Sequence, residues 1–220
     1  MIVLHHLNNS RSQRVLWLLE ELGCAYELRR YERDPQTLLA PPELRQVHPL
    51  GKSPVITDDG ITVAESGAIV EYLVQRYGPQ LAPAAGTPQQ RRYTYWLHFA
   101  EGSAMPPLLL KLIFDRIRTA PMPFFARPIA RGLADHVLGS FVLPNIARTL
   151  DFLEDELAQG PWFAGAEFSA ADIQMSFPIE AARARGGLDA RRPRLIDWLA
   201  RIHDRPAYQR ALAAGGRFTL

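Results

Sequence analysis

Two short motifs in the first third of the sequence contain residue types that can bind a ligand. Residues 51–56 (GKSPVI) end in a Ser-Pro bond that leads into an apolar run. Residues 65–69 (ESGAI) place a carboxylate and a hydroxyl at the start of an apolar helical pattern. Free N–H groups and the helix dipole at a helix N-terminus favour an anion. A rigid proline bend beside a helix N-terminus can therefore bind an extended peptide through its backbone and its carboxylate.

The segment between these motifs predicts how they are brought together. Residues 58–60 (DDG) form a hairpin turn signal between the apolar runs 55–57 and 61–63. Strand, turn, strand and helix entry follow within about 20 residues, the scale of a compact supersecondary unit. The two motifs are therefore predicted to be neighbours.

Residues 1–77 predict a small α/β domain. A strand is predicted over 2–4, a helix over 12–22 capped by Gly23, a strand over 26–30, a short helix over 41–47, the hairpin, and a helix over 66–77. This βαβ-α-ββα order combines a parallel crossover with an antiparallel hairpin, so we expect a mixed four-stranded sheet.

The rest of the chain predicts a linker and an all-helical domain. Residues 78–88 (GPQLAPAAGTP) contain three prolines and two glycines, which marks a linker. Helices are predicted over 89–118 with a kink at Pro106-Pro107, over 125–156 with a break at Pro144, and over 170–184, 194–204 and 207–214.

Composition limits the class of protein. With 220 residues, 47% of them apolar, the chain is long enough for two packed domains. A net charge of +2 from 25 basic and 23 acidic residues gives no signal for nucleic acid. The single Cys24 excludes an intrachain disulfide and fits a reducing, cytoplasmic setting. No signal peptide is visible and no apolar stretch approaches the ~20 residues that cross a bilayer, so no membrane partner is expected.

Three strings carry a family resemblance. Residues 8–22 (NNSRSQRVLWLLEEL), 48–54 (HPLGKSP) and 95–103 (YWLHFAEGS) occur in that order with suitable gaps. Together with the domain order, they resemble the cytosolic glutathione S-transferases, in a serine/asparagine-type bacterial and fungal branch. The resemblance covers the whole chain. It implies a thioredoxin-like glutathione-binding domain over 1–77, a linker over 78–88, and an all-α domain over 89–220 that forms the electrophile pocket.

The resemblance implies glutathione as co-substrate, without a metal. The implied binding residues are His48, Lys52, Ser53, Pro54, Glu65 and Ser66. Ser53, before a cis proline, would pair its backbone with the cysteinyl unit, as in β-strand addition. Glu65 would accept from the γ-glutamyl ammonium, and Ser66 would bind the γ-glutamyl carboxylate. Lys52 would reach the glycyl carboxylate, beside a wall that His48 helps to shape.

The reactive thiol belongs to glutathione, so the protein must stabilise its thiolate. A free thiol has a pKa of ~8.5, and a hydrogen bond to a charged group contributes roughly 1.5–3 kcal/mol, or about one to two pKa units. In the family this donor precedes the arginine that matches Arg14, either four residues back at Ser10 or five back at Asn9. Ser10 is preferred because a hydroxyl is the commoner donor, and Ser12 is a weaker third candidate. Cys24, at the far end of the helix, is expected to be a packed apolar residue.

The implied activity is transfer of the glutathione thiolate to a small hydrophobic electrophile. The interdomain pocket is expected to involve Leu7, Met105, Leu109, Phe114 and the stretch 121–125 (PMPFF). Two alternatives remain open. One is a glutathione-dependent peroxidase or disulfide reductase, which an Asn9 donor would favour. The other is a non-catalytic glutathione-binding regulatory protein, which the retained binding residues disfavour.

Two further expectations come from the resemblance. The family is usually a homodimer, and Tyr93 and Trp96 are assigned either to that interface or to the core. Ser169 and Asp172 match the family's N-capping box, a structural feature in which side chains satisfy the helix N–H groups.

Overall fold

The computed structural model describes residues 1–37 and 39–216, so positions 217–220 of the predicted helical domain lie outside the described residues. Strands are β1 Ile2–Leu7, β2 Tyr26–Tyr31, β3 Val55–Asp58 and β4 Ile61–Ala64. Helices are α1 Ser12–Leu22, α2 Leu44–Val47, α3 Ser66–Tyr77, α4 Pro88–Phe99, α5 Met105–Thr119, α6 Arg127–Val137, α7 Leu143–Glu156, α8 Ala170–Ala181, α9 Pro193–His203 and α10 Pro206–Gly215. The predicted thioredoxin-like domain followed by a helical domain is confirmed.

The four strands form the predicted mixed sheet, in the order β2-β1-β3-β4. β1 pairs in parallel with β2 and antiparallel with β3, and β3 pairs antiparallel with β4. The carboxyl ends of β1, β2 and β4 and the start of β3 therefore lie along one edge, called the site edge below. Loops at this edge are brought together from four parts of the sequence.

The two turns that lead into and out of β3 match their predictions. The Ser53–Pro54 bond is cis, as predicted. Asp59 and Gly60 both have positive φ, 47° and 86°, which is the backbone that a tight two-residue hairpin turn needs. Gly23 ends α1 in the left-handed conformation, also as predicted.

The long helices of the second domain are interrupted by π turns. Residues Ala100–Ala104 form such a turn between α4 and α5, and Pro106 and Pro107 fall in the first turn of α5. A missing N–H and the fixed φ of proline are tolerated there. A second π turn, Leu138–Val142, precedes Pro144 at the start of α7. The predicted interruptions are therefore present, and the π turns re-aim the side chains they contain.

The core of the helical domain is aromatic. Trp96 is 1% exposed and its ring lies 4.8 Å from that of Phe163. Tyr93 is also buried. Tyr93 and Trp96 were expected either in the dimer interface or in the core. The structure places both in the core, so they are not exposed residues of an interface.

The predicted capping box is present at the start of α8. Ser169 donates its backbone N–H to Asp172 Oδ2 at 3.0 Å, while Asp172 Oδ1 accepts from the Phe163 N–H at 3.0 Å and from Trp198 Nε1 at 3.1 Å. One buried carboxylate therefore joins the start of α8 to the loop before it and to α9.

His6, buried at the end of β1, makes folding stability depend on pH. Its Nδ1 lies 2.9 Å from Ser12 Oγ, and burial lowers the pKa of His6 from 6.5 to about 4. A histidine with a depressed folded pKa contributes stability that is present above pH 6.5 and lost as pH falls toward 4. Between pH 7 and pH 5, we expect this group to lower the free energy of unfolding by about 2 kcal/mol.

Urea denaturation of wild type and His6→Gln at both pH values measures this contribution. Asp172 acts in the opposite sense, because burial raises its pKa to about 6 and its contribution falls as pH rises. Only the difference between the two proteins therefore reports His6. Equal pH dependence in wild type and variant would show that His6 does not titrate as described.

Among the described residues, no helix is both long and apolar enough to cross a membrane.

Candidate active site

A cleft of about 540 Å³ lies along the site edge, between the sheet and the start of the helical domain. It is lined by all of the implied glutathione-binding residues, His48, Lys52, Ser53, Pro54, Glu65 and Ser66. Leu7 and Arg11 line it from β1 and the following loop, and Glu101 and Leu109 line it from the helical domain. The structure thus brings four separate stretches of sequence into one cavity.

Ser53 is fixed at the entry to β3 by its side chain. Its hydroxyl donates to the carbonyl of His5 at 2.8 Å and accepts from the Leu7 N–H at 3.3 Å. These bonds hold the cis Ser53–Pro54 segment against the end of β1. The Ser53 hydroxyl therefore forms both of these hydrogen bonds with the backbone of β1.

Glu65 and Ser66 sit at the N-terminus of α3. Ser66 is the first residue of the helix and is buried, while Glu65 is exposed in the cleft. Glu65 has φ of 70°, a conformation that costs a non-glycine residue of order 1–3 kcal/mol and that clusters at binding sites. A carboxylate and a helix N-terminus are thereby presented side by side.

The wall formed by residues 45–52 depends on a close backbone approach. Gly51 has φ of 57°, and a Cβ there would lie 2.7 Å from Arg45 Cγ. Lys52 is exposed beside it, and His48 Nδ1 accepts from the Leu50 N–H at 3.4 Å. Arg45, which also lines the cleft, adds a second cation to this wall.

The loop after β1 contains the candidate thiolate donors and divides their roles. Ser10 is 3% exposed, and its Oγ lies 2.8 Å from Ser12 Oγ and accepts from the Ser12 N–H at 3.2 Å. Ser12 is fully buried and lies 3.2 Å from the Leu7 carbonyl. Asn9 is partly exposed and has φ of 47°. The two hydroxyls therefore organise the start of α1, and Asn9 is the one of the three that is partly exposed. The residues that line the cleft include the neighbouring Leu7 and Arg11 but not Asn9, Ser10 or Ser12.

An ion-pair network ties this loop to the helical domain. Glu101, in the π turn before α5, accepts from Arg11 Nε at 2.9 and 3.1 Å and from Arg14 Nη2. Arg14 is 1% exposed and also donates to the Gln174 carbonyl at 2.7 Å. Burial acts against ionisation of Glu101, but Arg14 and Arg11 outweigh it and lower its pKa. Glu101 is therefore a carboxylate that fixes both arginines.

The structure places only some of the residues expected at the electrophile pocket in the cleft. Leu7 and Leu109 line the cleft. Met105 is buried in the core and Phe114 packs against it. Phe124 and Phe125, from the stretch 121–125, are exposed on the surface. Helical spacing does not distinguish a core position from a pocket position on the same face.

Sequence reasoning did not select Arg11, Arg33 and Glu101, which line the cleft. All three are charged residues in segments from which the sequence analysis predicted other features. Glu101 falls inside the string 95–103, and Arg11 lies between the two serine candidates. Glu101 is the one carboxylate of that string, which was the available signal for it.

The fold and the cleft are those that the family resemblance implies, and comparison with known proteins agrees. The family model "Glutathione S-transferase, N-terminal domain" matches residues 1–75, and "Glutathione S-transferase, C-terminal domain" matches residues 113–201. The chain belongs to the glutathione S-transferase family.

The relatives cover the chain almost completely. Glutathione S-transferase 3 of Schizosaccharomyces pombe is 41% identical over 94% of this chain and 85% of its own length. Glutathione S-transferase 1 of Saccharomyces cerevisiae is 32% identical over 99% and 98%. The crystal structure of a glutathione S-transferase from Actinobacillus pleuropneumoniae has a TM-score of 0.79 and 30% identity, covering 98% of this chain and 93% of that one. A sphingomonad glutathione S-transferase, solved in complex with glutathione, has a TM-score of 0.74 and 26% identity over 97% and 98%.

Proposed function

We propose that the protein is a glutathione transferase, which binds glutathione in the site-edge cleft, stabilises its thiolate and transfers it to an electrophile. The observation that carries the proposal is that His48, residues 52–54 and residues 65–66 line one cleft. The sphingomonad relative was solved with glutathione, which supports glutathione as co-substrate here. The enzyme contributes proximity and electrostatic stabilisation of the thiolate.

The order of strands along the site edge supports one orientation of the tripeptide. The γ-glutamyl group is assigned to Glu65 and Ser66, after β4, and the cysteinyl unit to Ser53, before β3. The next strand along the edge is β1, so the thiol points toward the loop that follows Leu7. The glycyl carboxylate is assigned to Lys52.

We assign the thiolate donor to Asn9 rather than to Ser10, which sequence reasoning preferred. The Ser10 hydroxyl is buried and bonded to Ser12 inside the start of α1. Asn9 is the residue of the pair with partial exposure, and an amide N–H can donate to a thiolate. Its position before α1 also lets the helix dipole contribute.

An Asn9 donor favours a second candidate function, a glutathione-dependent peroxidase or disulfide reductase on the same site. Both activities need the same bound thiolate, and they differ in whether it attacks carbon, peroxide oxygen or disulfide sulfur. Parallel assays with 1-chloro-2,4-dinitrobenzene, cumene hydroperoxide and hydroxyethyl disulfide rank them. Binding of glutathione without turnover of any of the three would leave the non-catalytic regulatory alternative.

Glutathione affinity should depend strongly on the residues at the start of α3. Ser66→Ala removes a hydrogen bond to the γ-glutamyl carboxylate, which is worth roughly 1.5–3 kcal/mol and hence about tenfold to a hundredfold in Kd. Glu65→Gln removes the charge opposite the ammonium, and we expect about tenfold weaker binding. Calorimetric titration with glutathione measures both.

Ser140→Ala is the matched control, because Ser140 is exposed and its hydroxyl donates to the His136 carbonyl within the same helical stretch. Its Kd should equal that of wild type. Unchanged affinity in Ser66→Ala and Glu65→Gln together would contradict the glutathione site proposed here.

The proposal includes the domain division 1–77, 78–88 and 89–220, a homodimer and a cytoplasmic location. The homodimer is supported by exposed apolar side chains near and on α6, because an interface would cover them. These side chains are Phe124, Ile129 and Leu133. The single Cys24 fits a reducing compartment. Sedimentation analysis showing only monomer at micromolar concentration would contradict the homodimer.

A further inference from the structure

His6, near the carboxyl end of β1, lies between the start of α1 and the end of α10. Its side chain is 3% exposed, and its Nδ1 lies 2.9 Å from Ser12 Oγ. The opposite edge of the ring faces α10, because Cε1 is 3.4 Å from the position that a Cβ would take at Gly215. One buried ring therefore connects the first residue of α1 with the last residue of α10.

The end of α10 is held against the sheet through its terminal carbonyl groups. The last carbonyls of a helix have no partner within the helix, and here Arg30 of β2 donates from Nη2 to the Ala214 carbonyl. Burial lowers the pKa of His6, and the Gly215 carbonyl opposes this by accepting a hydrogen bond from the ring. Since Nδ1 faces Ser12, the nitrogen that donates to Gly215 is Nε2. Strands β1 and β2 thus each supply one donor to the C-terminus of α10.

Glycine at position 215 permits this close approach. A Cβ there would lie 2.7 Å from Gln13 Oε1 and 2.9 Å from Leu16 Cδ2. Leu16 is fully buried in the core and has little room to move, so α10 would have to shift away from β1. The contact between α10 and His6 therefore depends on the absence of a side chain at Gly215.

These partners fix the direction of the hydrogen bonds. With its proton on Nε2, neutral His6 can only accept at Nδ1, so the Ser12 hydroxyl donates to it. Ser12 Oγ in turn accepts from the Leu7 N–H at 3.2 Å and from the Ser10 hydroxyl at 2.8 Å. Each proton of the series therefore points toward α10. The connection from Ser12 through His6 to Gly215 is called the relay below.

The Leu7 carbonyl, 3.2 Å from Ser12 Oγ, is a second acceptor within reach of Ser12. A Ser12 hydroxyl turned toward Leu7 would leave His6 Nδ1 as a buried acceptor without a donor, and such groups destabilise a fold. The shorter contact with His6 avoids this. The Ser10 proton is directed at Ser12 in either arrangement, so it is used inside the protein.

We propose that the relay makes the end of α10 a positioning element for the loop that activates glutathione, with His6 as the positioning residue. The inference rests on the proposed function, in which Asn9 of this loop donates to the glutathione sulfur. The relay fixes Ser12, the first residue of α1, against β1, and thereby sets the conformation of the residues just before it. Neither His6 nor Gly215 lines the cleft, so both act through the loop and not on the ligand.

The direction of the relay is tested by ¹⁵N NMR of the His6 ring in the protein without glutathione. At pH 7 we expect neutral His6 to carry its proton on Nε2, which gives the two ring nitrogens different chemical shifts. The signal that is missing from His6→Gln assigns His6 among the six histidines. A proton on Nδ1 would reverse the relay and overturn the proposal. This measurement is independent of glutathione, and hence of the proposed function.

The effect of the relay on the thiol is tested by Gly215→Ala and by Arg30→Gln. The first displaces the end of α10, and the second removes an exposed donor to Ala214 without altering the core. Ultraviolet absorbance of the thiolate should show the pKa of bound glutathione raised by at least about 0.5 unit in Gly215→Ala, part of the one to two units that a donor contributes. The rise should be smaller in Arg30→Gln. The Kd of glutathione should change less than about twofold, because neither residue lines the cleft.

Gly132→Ala and Arg29→Gln are the matched controls. A Cβ at Gly132, on α6, would meet nothing within 4 Å, and the exposed Arg29, next to Arg30, pairs with Glu27 at 2.7 Å. Both variants should keep the wild-type thiol pKa.

Arg30→Gln keeps the test decisive if Gly215→Ala does not fold. A bound thiol pKa that stays at the wild-type value in Arg30→Gln and in folded Gly215→Ala would overturn the positioning role of the relay. A wild-type protein that binds no glutathione, or binds it without lowering the thiol pKa, would instead reject the proposed function.

Discussion

Asn9→Ala should lower kcat/KM for 1-chloro-2,4-dinitrobenzene by about eightfold to 25-fold at pH 7. The donor lowers the thiol pKa by about one to two units from ~8.5, and its loss reduces the thiolate fraction at pH 7 by that factor. The difference in kcat/KM between variant and wild type should shrink as pH rises, because the thiol is then deprotonated even without the amide donor. A pH–rate profile from pH 6 to pH 9.5 measures the shift.

Ser10→Ala is the matched comparison on the same loop. Loss of its bond to the Ser12 N–H should cost about 1 kcal/mol of stability, as for other helix N-terminal caps, and leave the midpoint of the pH–rate profile unchanged. A profile that moves in Ser10→Ala and stays fixed in Asn9→Ala would reverse the assignment. The two variants therefore separate the donor from the residue that organises the loop.

Asp172→Ala should be among the most destabilising single substitutions in the chain. The side chain is fully buried and accepts from Phe163, Ser169 and Trp198, so its removal leaves three buried N–H groups without an acceptor. Each orphaned donor costs about 1–3 kcal/mol before water or backbone shifts relieve it. We expect a loss of about 3–4 kcal/mol in the free energy of unfolding at pH 7.

Urea denaturation followed by tryptophan fluorescence measures this loss. Asp155→Ala, at an exposed position of α7, should change stability by less than about 0.5 kcal/mol. Asp172→Asn should lose less than Asp172→Ala, because its amide oxygen can still accept from Phe163 and Trp198. A loss below about 1 kcal/mol in Asp172→Ala would show that the capping box does not join α8 to α9 as described.

The fold was predictable because its signals are local. Helical periodicity, the DDG turn, Gly23 and the Ser169–Asp172 pair each act within a few residues, and each element appears where it was expected. The cis Ser53–Pro54 bond was predictable from the family resemblance rather than from the residues alone.

The side of the cleft formed by the helical domain was not predictable, because its contacts join residues that are distant in the sequence. Glu101 meets Arg11 and Arg14 only once the helical domain docks on α1, 87 to 90 residues away in sequence. Whether Met105 or Leu109 faces the cleft depends on the rotation that the π turn Ala100–Ala104 gives to α5. No local pattern encodes that rotation. The choice between Ser10 and Asn9 likewise depends on which of the two side chains the folded loop buries.

In the function proposed here, the protein lowers the pKa of the thiol of bound glutathione. Ultraviolet absorbance of the thiolate, titrated against pH at saturating protein with wild type, measures that pKa directly. We expect a bound thiol pKa about one to two units below the ~8.5 of a free thiol. Binding with an unshifted thiol pKa would contradict it, and would mean that the cleft holds glutathione without activating it.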